Sequence, residues 1–319
     1  MKKILALCVA LACQMAVAND DIVRTLHGAG LTLPVRDVRP SVIGQLLQVR
    51  LDGAEPIFIT KDKRYVLQGT IEPNPSPVVQ IADELKTPQR AGTPVSSAYK
   101  RALLANMTAL KNLTADTVFF YTNVQGLLWG TSGVGGVPFL VSDDGRYFIN
   151  GDISVIKDGR FAGLDTDFEW TKNRHILSVI DENWLTVYPA KPQKAVMYVA
   201  TDTHCPYCRL LHKQIGVFNA KGITVKVIGY PTYDEAYEPM RQIWCQADND
   251  KRAKLLSLAM TGVMPKVLCQ DDTENNLLNN QILAQSLAVI ATPAIYRDDG
   301  VLFEGDFRDK ALFEFFGVR

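Results

Sequence analysis

Two stretches of this chain repeat each other without a gap. PIFITKDKRYVLQGTI (Pro56–Ile71) aligns with PFLVSDDGRYFINGDI (Pro138–Ile153), at an offset of 82 residues read from Gly69 to Gly151 (151 − 69). The same offset pairs Val42 with Val124, Gly44 with Gly126, Leu46 with Leu128 and Gly53 with Gly135. In each copy apolar, β-branched runs flank a turn, Lys61-Asp62-Lys63 in one and Asp143-Asp144-Gly145 in the other. That is the pattern of a β-hairpin. The repeat therefore predicts two copies of a small antiparallel α+β module, each preceded by a helical stretch.

The segment between the copies holds Pro73, Pro75, Pro77, Pro88 and Pro94, which excludes a continuous helix. The second copy opens with SAYKRALLANMTALKNL, whose Leu103, Met107 and Leu110 share one helical face and read as core. After the second hairpin, DTDFEWTKNRHILSVIDENW reads as a linker helix of several turns that ends before Tyr188-Pro189. Thr166 and Glu169 form a capping box there, and His175 reads as a solvated side chain.

From Ala195 the pattern changes. AVMYVAT is a continuous apolar run, as in a strand buried on both faces. CPYC (Cys205–Cys208) follows and opens a helix through Leu210, Leu211 and Ile215, which Gly222 ends before the strand ITVKVIGY. A helical region runs to about Val289, broken near Pro265 and Cys269. PAIYR, a turn at Asp298-Asp299-Gly300 and VLFEG then read as a hairpin, followed by a last helix carrying ALFEFF. Strand, helix, strand, helical insertion, hairpin and helix is the thioredoxin order, an α/β domain. The expected divisions are a signal peptide over 1–18, a first module over 19–90 and a second over 91–164. A linker helix over 165–190 and a thioredoxin-like domain over 191–319 follow, with the helical insertion at about 233–289.

The signal peptide rests on Lys2 and Lys3, the apolar run ILALCVALA and the small-residue site Ala16-Val17-Ala18. The run is too short to span a bilayer; lipoprotein processing at Cys13 is a variant of the same reading. Export removes Cys8 and Cys13 and leaves Cys205, Cys208, Cys245 and Cys269, an even set that points to disulfide chemistry. With 34 basic and 34 acidic side chains, the balance gives no sign of a nucleic-acid surface.

The CPYC pair alone is half of a metal site, a structural staple or a working dithiol. Its position favours the last. Cys205 falls where the strand ends and the helix begins, so free backbone N–H groups and the helix dipole favour a thiolate. Such placement lowers a thiol pKa from about 8.5 to roughly 3.5–7.5. Pro206 suits the first helical position. Cys208, one turn deeper, reaches Cys205 while shielded from substrate. Cys205 is thus the candidate nucleophile and Cys208 the resolving thiol, and their redox-active disulfide needs no further cofactor. Far along the chain, Thr292-Pro293 opens a strand. A cis peptide there would free the Thr292 backbone to pair with an extended substrate segment beside Cys205.

The run TDTHCPYCRLLH, the later cysteine pair and TPAIY resemble the DsbC/DsbG family of periplasmic thiol:disulfide isomerases. The resemblance covers Ala195–Arg319 well and the hairpin modules, which look like that family's N-terminal dimerisation domain, more weakly. It implies a homodimer with an apolar cleft for misfolded secreted proteins, a dithiol kept reduced by a membrane-bound reductase relay, and chaperone activity. The second module departs from the family's single one. Pro206-Tyr207 looks like DsbG-type members, which act more narrowly, including on cysteine sulfenic acids, whereas Thr201-Asp202 and Leu211-His212 look like DsbC. The resemblance also implies a structural disulfide between Cys245 and Cys269, whose closure is worth about 3 kcal/mol; the alternative is one zinc held by all four cysteines. His204, Pro206 and Tyr207 are candidates for modulating the Cys205 thiolate, and His212 reads as packed or solvent-facing. A disulfide oxidase and a chaperone with merely structural cysteines are the competing functional readings.

Overall fold

The computed structural model describes residues 19–110, 113–132, 138–269 and 276–318. The expected signal segment and Gly135 of the repeat lie outside the described residues.

The first half folds into an antiparallel sheet of nine strands. These are β1 (Val35–Pro40), β2 (Leu46–Leu51), β3 (Ile57–Thr60), β4 (Tyr65–Pro73), β5 (Val118–Tyr121), β6 (Leu127–Thr131), β7 (Pro138–Ser142), β8 (Tyr147–Lys157) and β9 (Arg160–Leu164). Their order is β1-β2-β3-β4-β8-β7-β6-β5, with β9 also on β8.

The hairpins β3–β4 and β7–β8 turn on the same hydrogen bonds. In the first, Asp62 Oδ1 accepts from Thr60 Oγ1 (2.5 Å) and Arg64 N–H (3.1 Å), and Tyr65 N–H donates to Thr60 Oγ1 (3.1 Å). In the second, Asp144 Oδ1 accepts from Ser142 Oγ (2.7 Å) and Arg146 N–H (3.0 Å), and Tyr147 N–H donates to Ser142 Oγ (3.0 Å). Upstream the equivalence moves by one residue. Leu46 N–H donates to Ile43 O and Leu127 N–H to Val124 O, so Ile43 matches Val124 and Leu46 matches Leu127. The expected pairs Val42 with Val124, Gly44 with Gly126 and Leu46 with Leu128 are each one residue off. A one-residue slip along a strand sends a side chain to the opposite face, and Leu46 and Leu127 in fact share one core cluster.

Alternation along the strands divides the apolar residues between two faces. On one, Val49, Ile59 and Val66 pack under helix α1 (19–29) through Ile22 and Leu26. On the same face, Phe119, Tyr121 and Val141 pack under α2 (Ser97–Ala105) through Tyr99 and Leu103. On the other, Leu46, Phe58, Leu67, Leu127, Leu140 and Ile149 merge into a single cluster that Phe168 closes.

Phe168 belongs to α3 (Thr166–Ser178), whose N-cap is Asp165, accepting from Phe168 N–H at 3.3 Å. The cap therefore stands one residue before the expected Thr166–Glu169 box. The helix stops at Ser178 instead of running toward 190. Beyond it come a short 3-10 turn (Glu182–Trp184) and β10 (Thr186–Tyr188). Nor is α3 a bare spacer. Lys172 Nζ donates to Ser286 O (2.8 Å), pairs with Glu169 (3.0 Å) and sits 4.3 Å from the Trp129 ring centre. Arg174 Nε donates to Asp299 O at 3.1 Å. His175 is half-buried with its ring edge-on to Phe120, not fully solvated, and burial lowers its pKa.

The second half centres on a four-stranded sheet of order β10-β12-β11-β13, with β11 (Ala195–Thr201), β12 (Ile223–Gly229) and β13 (Ala294–Arg297). β11 and β12 are parallel, and β10 and β13 flank them antiparallel. All seven residues of β12 are buried, because helices cover both faces. Helices α4 (Pro206–His212), α5 (Ile215–Ala220), α6 (Tyr237–Trp244) and α7 (Asn249–Met260) lie on one side, and α8 (Asn276–Ser286) with the end of α3 on the other. The expected strand VLFEG is reduced to one bridge between Tyr296 and Leu302, and α9 (Ala311–Phe315) ends the fold. Among the described residues no helix is long and apolar enough to cross a membrane.

Candidate active site

At the end of β11 the chain enters a loop held by one buried carboxylate. Asp202 Oδ1 accepts from His204 N–H at 2.6 Å. Its Oδ2 accepts from Thr232 N–H (2.5 Å), Thr232 Oγ1 (3.1 Å) and Tyr233 N–H (3.0 Å). From inside α4, Arg209 Nε donates to Thr203 O at 2.7 Å. The loop so clamped makes Cys205 the N-cap of α4, with Pro206 in its first turn. A proline there loses no hydrogen bond, because the first helical N–H groups have no partner within the helix.

Cys205 and Cys208 are both free thiols, 4% and 0% exposed. The Cys205 sulfur is thus less open than a reactive thiol is expected to be, although Pro206 and Tyr207, next to it in the chain, are exposed. Cys208 N–H donates to Cys205 Sγ at 3.4 Å, and Cys205 Sγ–H donates to Thr292 O at 3.3 Å. Hydrogen bonding from the Cys208 thiol lowers Cys205 to about 6 against the opposition of burial, aided by the backbone N–H groups of Cys208 and Tyr207. Burial first, and then the bond to Cys205, pushes Cys208 far up. The pair therefore gives up its first proton from Cys205 and holds its second on Cys208.

Thr292-Pro293 reaches this site because β13 pairs with β11, with Ala294 opposite Ala200. The Thr292–Pro293 peptide is cis, and both residues are half-buried beside the dithiol. Of the candidate modulators, Tyr207 contributes its backbone N–H and Pro206 its place in the helix. The His204 ring is turned to Thr203 Oγ1 (3.3 Å), and among the described residues it makes no hydrogen bond to Cys205. His212 is packed: its Nε2 meets Ser257 Oγ at 3.1 Å, its ring meets Tyr188 edge-on, and burial lowers its pKa to about 4.

Cys245 and Cys269 form a disulfide across 24 residues. Their sulfurs bond to each other, which removes both from the four-cysteine zinc alternative. Among the described residues no group of three or more His, Cys, Asp or Glu side chains is placed to hold a metal ion.

The family model for the thioredoxin-like domain matches residues 183–314, and that for the disulfide bond isomerase N-terminal domain matches residues 14–72. The thiol:disulfide interchange protein DsbC of Pasteurella multocida is 30% identical over 192 residues, 59% of this chain and 83% of its own length. The DsbC of Dickeya dadantii is 32% identical over 182 residues, 54% of this chain and 73% of its own. The chain belongs to the DsbC family of thiol:disulfide interchange proteins. A solved disulfide interchange protein of Neisseria gonorrhoeae aligns at 18% identity with a TM-score of 0.35, over 43% of this chain and 98% of that one.

Motif reading does not reveal the bracing roles of two residues of this DsbC-type site. Asp202 is visible only as part of the motif, although a carboxylate ending an otherwise apolar strand is itself a signal that something must neutralise or bind it. Arg209, directly after Cys208, reads as a surface cation and is instead the brace of the loop.

Proposed function

We propose that this chain isomerises or reduces non-native disulfides of exported proteins, with Cys205 as nucleophile and Cys208 as resolving thiol. The observation that carries this reading is the placement of the pair. Cys205 caps α4 beside the cis Thr292–Pro293 peptide and accepts from Cys208 N–H. Cys208 is fully buried one turn deeper, so Cys205 is the thiol that ionises first. The Cys205 thiolate attacks one sulfur of a client disulfide. A mixed disulfide forms and the other client sulfur leaves as a thiolate.

Two exits follow. A client thiolate attacks its own sulfur in the mixed disulfide, which restores the Cys205 thiolate and leaves a rearranged client disulfide with no net electron transfer. Otherwise Cys208 attacks the Cys205 sulfur. The second client sulfur then leaves, the Cys208 proton passes to a departing client thiolate, and two electrons have moved from protein to client. The resulting Cys205–Cys208 disulfide is reduced again by a thiol donor, here a membrane-bound reductase relay. Thr292 and Pro293 line the approach of an extended client segment to the sulfur. The periplasm is the setting, misfolded disulfide-bonded proteins are the clients, and chaperone activity accompanies the exchange.

The reduced protein is expected to reactivate a client with scrambled disulfides. Cys205→Ala should abolish this, and Cys208→Ala should accumulate mixed disulfides visible on a non-reducing gel. Full isomerase activity in the Cys205→Ala variant would remove the proposal.

A further inference from the structure

The pairing between β4 and β8 has an internal symmetry that an ordinary sheet lacks. At the offset of 82 residues, Gly69 corresponds to Gly151, and these two face each other. On either side the register is reciprocal. Gln68 pairs with Asp152, the counterpart of Thr70, while Thr70 pairs with Asn150, the counterpart of Gln68. At the ends, Tyr65 pairs with Val155, the counterpart of Pro73, and Pro73 pairs with Tyr147, the counterpart of Tyr65. Residue i meets j, and the copy of j meets the copy of i. That reciprocity defines an isologous contact about a two-fold axis, which here passes between Gly69 and Gly151. The strand order β1-β2-β3-β4 | β8-β7-β6-β5 reads the same from either end. The core crosses the axis too, since Phe58 and Leu140, or Leu67 and Ile149, are counterparts within one cluster.

We propose that the two modules of this chain make with each other the isologous interface that two single-module chains would make between them, so that the working unit is one chain carrying one dithiol. This replaces the homodimer implied by the family resemblance. Two further observations close the outer edges of the sheet to a second copy. Edge strand β1 is guarded by charge and irregularity: Asp37 takes ion pairs from Arg39 and Arg50, the register slips between Val35 and Asp37, and Pro40 ends the strand. These are devices that block edge pairing. Edge strand β5 is covered by the connector between the modules. Val95 N–H donates to Phe119 O (2.9 Å), Tyr121 N–H to Thr93 O (3.0 Å) and Gly92 N–H to Tyr121 O (2.8 Å). The connector is also fastened to the second module at its start, where Asn74 Nδ2 donates to Gly145 O (2.6 Å) and Asn106 O (2.7 Å). It runs over its own chain and is not a free tether to a neighbour.

Sedimentation equilibrium on the reduced protein, from about 1 to 200 µM, tests this through mass action. The expected result is the mass of one chain at every concentration. The mass of two chains overturns the proposal, whether the chains meet at a new edge or exchange modules. Co-refolding with an isotope-labelled chain, followed by native mass spectrometry, is expected to yield single chains only, and a mixed two-chain species overturns it equally. Neither measurement depends on redox activity, so either can fail while the disulfide chemistry stands.

Discussion

Gly69 and Gly151 face each other at the centre of the large sheet, and neither position has room for a side chain. A Cβ on Gly69 would lie 2.1 Å from Asn150 O, and one on Gly151 would lie 1.8 Å from Gln68 O. Both obstacles are backbone atoms of the ladder itself, so relief requires parting the strands. Gly69 also holds φ at 137°, where other residues are strained. We expect Gly69→Ala and Gly151→Ala each to destabilise the protein by at least about 3 kcal/mol in urea unfolding. Gly53→Ala is the control: its φ is 73° but nothing lies within 4 Å of the added carbon, so it should lose only about 1 kcal/mol. An equal loss at Gly69 and Gly53, with none at Gly151, would show that backbone angle, not the close approach of β4 and β8, is what these glycines serve.

The depressed Cys205 thiol fixes a pH dependence in two observables. Alkylation of the reduced protein by iodoacetamide should be half-maximal near pH 6 and level off about one unit above, following the thiolate at Cys205. Cys208→Ala removes the hydrogen bond that is the largest cause of the depression, so its midpoint should move up. Stability follows by linkage. The folded value of about 6 lies below the ordinary 9.0, so the folded state binds fewer protons between them and stability rises with pH. The excess stability of reduced wild type over Cys205→Ala should therefore be complete near pH 9 and vanish as pH falls through 6. Above pH 9 the raised Cys208 thiol lowers the stability of wild type and Cys205→Ala alike, because its burial lets only the unfolded chain ionise there. A flat alkylation profile below pH 8 would contradict the assignment of Cys205 as the ionised partner.

Asp202 gives a separate test of how the dithiol loop is held. Removing its carboxylate strands the N–H groups of His204, Thr232 and Tyr233 and the Thr232 hydroxyl. Buried donors left without acceptors cost about 1–3 kcal/mol each, less where water or relaxation reaches them. Asp202→Ala should lose about 2–4 kcal/mol of stability, and Asp202→Asn less, since its amide oxygen still accepts. At equal fractions folded, Asp202→Ala should also alkylate more slowly at pH 7, because the loop no longer presents Cys205 as an N-cap. An unchanged alkylation rate would reduce Asp202 to a purely structural residue.

The sequence carried some of this and hid the rest for definable reasons. Hairpin turns are local, so Lys61-Asp62-Lys63 and Asp143-Asp144-Gly145 announce them, and a one-residue difference upstream is hidden because Val42 and Ile43 are equally apolar. The Cys205 cap and the place of Pro206 follow from one strand end and one helix start. The strand Thr186–Tyr188 reads as part of the linker helix because, among the described residues, it pairs with β12 alone, 37 to 41 positions away (225 − 188 for Tyr188, 227 − 186 for Thr186). The clasp at Lys172 was invisible for the same reason: Trp129 and Ser286 meet it from opposite ends of the chain, and a lysine in a helix ordinarily signals solvent.

That clasp supports the last prediction. Lys172 is fully buried and satisfied by Ser286 O, the Glu169 carboxylate and the face of Trp129, so it touches both halves of the molecule at once. Lys172→Met keeps the apolar stem but leaves the Ser286 carbonyl and Glu169 unpaired. Breaking a fully buried pair costs about 3–5 kcal/mol. Glu169 remains 19% exposed and regains some hydration, so a loss of about 2–4 kcal/mol is expected in urea unfolding. The double variant Lys172→Met/Glu169→Gln should recover part of that loss, because the stranded charge is gone. Proteolysis near α3 should quicken in the single variant before global unfolding begins, while alkylation of Cys205 at pH 7 stays at the wild-type rate. If Lys172→Met unfolds at the wild-type urea midpoint, the lysine is not what ties α3 to the catalytic domain, and the apolar contacts of Leu177 suffice.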